Sequence, residues 1–175
     1  FNYVDMTQSM HYNAFGCSFS NPTLNNVNIY DNNVGGVYLN HCDVNLTDVI
    51  ISGNLATSGE GGGMLLTSSN PILTHVTFSG NVASKEGGGM KLVESHPTLR
   101  DVTIENNGAN VGSGMYLATG SNPTLIDVTI SGNVASDEGG GMYLHTSNPT
   151  LIDVTIENNT ATYGGGMYLN TSNPT

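Results

Sequence analysis

The sequence predicts an all-β solenoid, a stack of short coils laid one upon another, and three observations predict it. The chain repeats itself: SNPILTHVTFSGNVASKEGGGMKL (69–92), SNPTLIDVTISGNVASDEGGGMYL (121–144) and SNPTLIDVTIENNTATYGGGMYL (147–169) are near copies. The prolines Pro71, Pro97, Pro123 and Pro149 recur every 26 residues, with Pro174 following after 25. Inside each unit apolar and polar residues alternate, which is the period of a strand with one face inward and not of a helix. Short strands broken by Gly- and Asn-bearing corners, repeated at a fixed period, pair with their own counterparts in the next coil, in parallel and at about 4.8 Å. The expected architecture is a parallel β-helix of about seven coils of roughly 26 residues.

Residues 1–20 form a degenerate first coil, in which Phe15-Gly16-Cys17 stands where later units have Met-Tyr-Leu. The first strand of each later coil opens on an inward leucine: Leu24, Leu46, Leu73, Leu99, Leu125 and Leu151. It continues into Val-Thr-Ile, as at Val128-Thr129-Ile130, where the outer two residues point inward and the Thr outward. Leu125 is out of step with Val128 and Ile130 by one residue, so the chain bends or bulges around Ile126-Asp127.

Next comes a corner with Asn in every unit: Asn32, Asn54, Asn81, Asn107, Asn133 and Asn159. Asn tolerates the left-handed backbone of a sharp corner, and its amide can donate to the Asn of the neighbouring coil, forming a ladder that fixes register. Then come the glycines before the Met column, Gly36, Gly63, Gly89, Gly114, Gly141 and Gly166. They are expected as tight corners; a phosphate cradle would need a following Lys-Ser or Lys-Thr and a helix, and neither is present. In Met142-Tyr143-Leu144 the middle position is the outward one, since Lys91 occupies its equivalent two coils earlier.

About six inward side chains per coil, each worth about 1.5–3 kcal/mol on full burial, suffice only because neighbouring coils share them. A finer period of 52 residues is also visible. Units with SGNVAS step nine residues from Asn to Met and units with IENN step eight, and Glu105 and Glu157 are separated by a coil bearing Ser131.

Composition narrows the function classes. Three Lys plus Arg against 14 Asp plus Glu give a net charge of −11, a surface that repels nucleic acid and anionic membrane. No apolar run approaches the length of a membrane span. The chain starts at Phe1 and stops at Thr175, four residues into another SNPT, so residues 1–175 are expected to be a single β-helix segment of a longer repeat protein, with any signal, anchor or cap outside it.

Asp101, Asp127 and Asp153 share one corner of three successive coils. Carboxylates about 5 Å apart repel by roughly 1 kcal/mol in bulk water and 3 kcal/mol at an effective dielectric of 20. Solvent screening with backbone N–H donors, bound calcium, or raised pKa values would each offset this, and the three Asp are the candidate calcium ligands, although no GGxGxD repeat is present. Glu60, Glu86, Asp137 and Glu138, in the loop before the glycines, are a weaker version of the same idea. Tyr38, Tyr116, Tyr143 and Tyr168, with Lys91 between, form an outward row that either stacks to stabilise the sheet or offers a contact surface to sugars or neighbouring rods. Cys17 and Cys42, 25 residues apart, are a candidate disulfide between adjacent coils. Asn45, Asn158 and Asn170 head glycosylation sequons. The five His show no ligand spacing, and most are expected in solvent.

Phe78-Ser79-Gly80-Asn81 followed by Gly88-Gly89-Met90 resembles the paired FxxN and GGAI motifs of the chlamydial polymorphic outer-membrane protein repeats, and of related bacterial surface β-helix repeats. The other units read IxxN and GGM. The resemblance covers nearly the whole chain and implies a right-handed β-helix displayed outside the cell, with adhesion as the usual role and no catalytic residue.

The leading expectation is therefore a non-catalytic structural or adhesive segment of an extracellular or cell-surface rod, its partners being flanking coils or further copies stacked head to tail as a filament, and carbohydrate or a host surface. The alternative is a carbohydrate-binding or carbohydrate-cleaving β-helix. Cleavage of acidic sugars needs cations beside an acid–base pair, and only Lys85, Lys91 and Arg100 are available, on different parts of the coil. An ice-binding Thr grid is disfavoured because Thr124 and Thr129 lack two-residue spacing on one strand.

Overall fold

The computed structural model describes residues 4–8, 13–57 and 59–175, and among them it is an all-β solenoid of parallel strands. Three sheets run along the axis. The first stacks Val4–Thr7, Thr23–Tyr30, Asn45–Ser52, Ile72–Ser79, Thr98–Glu105, Thr124–Ser131 and the pair Thr150–Ile152 and Thr155–Glu157. The second stacks seven strands from Phe15–Ser18 through Val37–Asn40, Met64–Thr67, Met90–Val93, Met115–Ala118 and Met142–His145 to Met167–Asn170. The third has four: Leu55–Ala56, Val82–Ala83, Gly108–Val111 and Val134–Glu138. Seven levels enclose about six full turns.

Register follows the repeat. Leu24 pairs with Leu46, Leu46 with Leu73, Leu73 with Leu99, Leu99 with Leu125 and Leu125 with Leu151. These leucines, the Val27–Val128 and Ile29–Ile130 columns and the Met and Leu columns of the second sheet form one continuous core. The expected bend is a left-handed residue inside the long strand: Asn26, Asp48, His75, Asp101, Asp127 and Asp153 all have φ of 52–54°. That one residue carries Leu125 and Val128 to the same inward side.

Asn32, Asn54, Asn81, Asn107 and Asn133 are buried and Asn159 is half-buried, and their side-chain bonds repeat from coil to coil. Nδ2 of Asn32, Asn54, Asn81, Asn107 and Asn133 donates to Oδ1 of the next Asn at 2.8–3.1 Å. The same oxygen also accepts the backbone N–H of the preceding ladder Asn, at 2.9–3.2 Å. The second amide proton goes to a core-strand carbonyl one coil below, as from Asn133 to Ile104 at 3.0 Å. For Asn54, Asn81, Asn107 and Asn133 both amide protons and both lone pairs of the oxygen are thereby used.

One expectation is corrected here. The left-handed residue of this corner is not the ladder Asn but the residue before it: Asp31, Gly53, Gly80, Asn106, Gly132 and Asn158. This position also accounts for the 52-residue period. A Cβ on Gly132 would lie 2.6 Å from Oδ1 of Asn106, and one on Gly53 would lie 2.6 Å from Oδ1 of Asp31. A side chain at this corner projects over the next coil, where only Gly fits, and Gly80, Asn106, Gly132 and Asn158 therefore alternate. The glycines before the Met column act through close approach and not through φ: a Cβ on Gly114 would come within 2.4 Å of the Gly141 carbonyl oxygen.

A second ladder, not anticipated from the sequence, closes the corner after the second sheet. Backbone N–H groups of Cys42, Ser69, Ser95 and Ser147 donate to Oγ of Ser69, Ser95, Ser121 and Ser172 at 3.0–3.2 Å. Cys42 occupies the serine position of its coil and is disulfide-bonded to Cys17, with Cα atoms 6.1 Å apart, fastening the first coil to the second.

Candidate functional site

The chemistry-bearing side chains gather along the outward face of the second sheet, where the register sets Gly16, Tyr38, Leu65, Lys91, Tyr116, Tyr143 and Tyr168 in one row. Leu65 and Lys91 separate Tyr38 from the other tyrosines. The rings of Tyr116 and Tyr143 stack at 5.0 Å and those of Tyr143 and Tyr168 at 5.4 Å, each pair inclined by 4°. Tyr143 is only 8% exposed, because both its ring faces are covered by its neighbours. A sugar seeking a flat aromatic platform finds an edge there and not a face.

The loops before the glycines fold over this row. Lys91, outward by its place in the strand, is only 6% exposed: its Nζ lies 2.5 Å from a carboxylate oxygen of both Glu60 and Glu86, and 5.1 Å from the centre of the Tyr116 ring. One ammonium thus joins the loops of two successive coils. Burial, reinforced by Glu86, pushes the Tyr116 hydroxyl up to about 12. Tyr168 is also raised, chiefly by its hydrogen bond to Glu138. Nδ2 of Asn170 donates to the Tyr143 hydroxyl at 3.4 Å.

Where the loop lengthens abruptly, a cavity of about 270 Å³ opens, lined by Asn13, Val34, Ala56, Gly59, Glu60, Leu65 and Lys85. Its origin is local. The second coil passes from Asn32 to Val37 with no strand in the third sheet, whereas the third coil takes ten residues from Asn54 to Met64.

The Asp column lies on the opposite, first sheet. Asp101, Asp127 and Asp153 are exposed at their left-handed corners. His75 continues the column and lies between two carboxylates, with Nδ1 3.3 Å from Asp48 and Nε2 3.6 Å from Asp101. His75 is exposed, as expected, and what the sequence reading missed is its place between the carboxylates; the signal that could have found it is its 26-residue offset from Asp101. Among the described residues no group of three His, Cys, Asp or Glu is placed to hold a metal ion. A further histidine, His96, takes the acceptor place in an exposed ladder: its Nδ1 accepts the N–H of Asn122 at 3.1 Å, as Asn122 and Asn148 accept from the coils above them. His11 lies outside the described residues. Of the sequon asparagines, Asn45, Asn158 and Asn170 are all exposed, Asn158 at a left-handed corner. No helix among the described residues is long and apolar enough to cross a membrane.

Parallel strands coiled about a continuous core, with corners ruled by Asn, Ser and Gly, define a β-helix solenoid. The family model described as "Right handed beta helix region" matches residues 13–175, and the chain belongs to that family. No curated protein and no solved structure matches it.

Proposed function

We propose that this chain is a non-catalytic structural segment of an extracellular or cell-surface rod, adhesive in the manner of the chlamydial polymorphic outer-membrane repeats that its FxxN and GGM motifs resemble. The observation that carries the reading is how the polar and aromatic groups are used. Lys91 is neutralised by two glutamates, Tyr143 is covered on both faces by tyrosines, and the Asn amides are spent on each other. A catalytic site would instead converge different groups on one point with one of them left free to react. Right-handed β-helices include enzymes and non-enzymes alike, so fold alone does not decide. A disulfide across the first two coils suits an oxidising exterior. The outward Asp column and the exposed sequon positions are the surfaces through which such a rod would meet partners.

The test is to incubate the chain with a panel of neutral and acidic polysaccharides and to present it on beads to glycan-coated and cell surfaces. Retention of the beads with no new reducing ends or unsaturated products is expected. Turnover of any polysaccharide would overturn the reading.

A further inference from the structure

Gly108 is a glycine that the fold does not require. A Cβ there would meet nothing nearer than a methyl of Val82 at 3.7 Å, an ordinary contact, and its backbone is not left-handed. Its counterparts in the third sheet, Leu55, Val82 and Val134, carry side chains. What Gly108 does is follow Asn107, the one Asn-Gly pair in the sequence. Glycine leaves its own backbone nitrogen unhindered and its dihedrals free.

We propose that Asn107 is a latent modification site: silent while the ladder is closed, it deamidates once its coil opens, and the product cannot rejoin the stack. In the reaction the Gly108 backbone nitrogen, having given its proton to a solvent base, attacks Cγ of Asn107. The N–Cγ bond forms, the Cγ–Nδ2 bond breaks, and the side-chain nitrogen takes up a proton and leaves as ammonia. Water then opens the cyclic imide at either carbonyl, giving aspartate or isoaspartate.

Every atom of this reaction is held in the native stack. The Gly108 N–H donates to the Asn81 carbonyl at 2.9 Å. Nδ2 of Asn107 donates to Oδ1 of Asn133 at 3.0 Å and to the Phe78 carbonyl at 3.1 Å, while its Oδ1 accepts from the backbone and side chain of Asn81. The nitrogen cannot turn to Cγ without breaking its bond across the coils. After conversion to aspartate, carboxylate oxygens replace the donor and face the acceptors of Asn133 and Phe78 in a site that is fully buried, where unpaired charge is not tolerated. Isoaspartate adds a methylene to the backbone and shifts the register.

The experiment holds the full chain in mildly alkaline buffer, native in one arm and in urea in the other, and follows each Asn by peptide mass mapping before refolding by dilution. Conversion at Asn107 is expected to run ahead of that at Asn81 and Asn133 in urea, and to be slower in the native arm by roughly a hundredfold or more, since it waits on opening. The refolded fraction should be depleted of converted chains, and Gly108→Val, which the column accommodates, should keep its refolding yield over the same incubation. Equal rates in the two arms, or converted chains refolding as well as unconverted ones, would overturn the proposal.

Discussion

The Tyr116 hydroxyl shows how a single outward residue reports on the covering loops. Its pKa is raised from the ordinary 10 to about 12, so the folded state holds a proton that the unfolded chain releases earlier. The sign follows directly: the contribution is complete below pH 10 and is lost as the pH climbs from 10 to 12. Since the ring is only partly buried, about 1–2 kcal/mol is expected after allowance for screening. Melting curves between these pH values should therefore fall more steeply for the native chain than for Tyr116→Phe; parallel curves would show that the cover over Tyr116 is open in solution. The outward position of Lys91 was legible in the sequence, because strand alternation sets it. Its burial was not, because that depends on the loops of two coils closing over it. The Asn ladder was legible because one residue type recurs at one place. The His75 contact was hidden because histidine appears in that column only once, among aspartates.

At the scale of the corner, the sequence places the bend near Asp127 and the tight turns before methionine, yet the left-handed backbone expected at the ladder asparagine falls on the residue before it. Asp-Asn, Gly-Asn and Asn-Asn pairs leave that assignment open, since either residue of each pair accepts the conformation; only the inward aim of the second side chain decides it. The alternation at this corner makes a specific prediction. Gly132→Asn puts a Cβ against Asn106 and should cost about 1–3 kcal/mol of stability, the usual range for overpacking. Adding Asn106→Gly and Asn158→Gly shifts the alternation by one coil and should recover most of that loss, as read by urea denaturation. Failure of the triple variant to recover would show that the 52-residue period is not a steric one.

For the whole molecule, the same rule states which lengths of rod are allowed. Excising residues 82–133, two coils, sets Asn158 above Gly80, a pairing of the kind already present between Asn106 and Gly80. Excising residues 108–133, one coil, sets Asn158 above Asn106, where the Gly132 geometry leaves no room. The shorter deletion is therefore expected to lower the melting temperature more than the longer one, although it removes less core; the reverse order would make buried area the controlling quantity. All five links of the Asn chain are donated the same way, from Asn32 toward Asn159. Amide dipoles lined up head to tail reinforce one another and give the rod a vector. In every link the donor amide lies on the Asn32 side and the accepting oxygen on the Asn159 side. A fibre continued through this same chain of bonds would therefore run every copy in one direction along the axis.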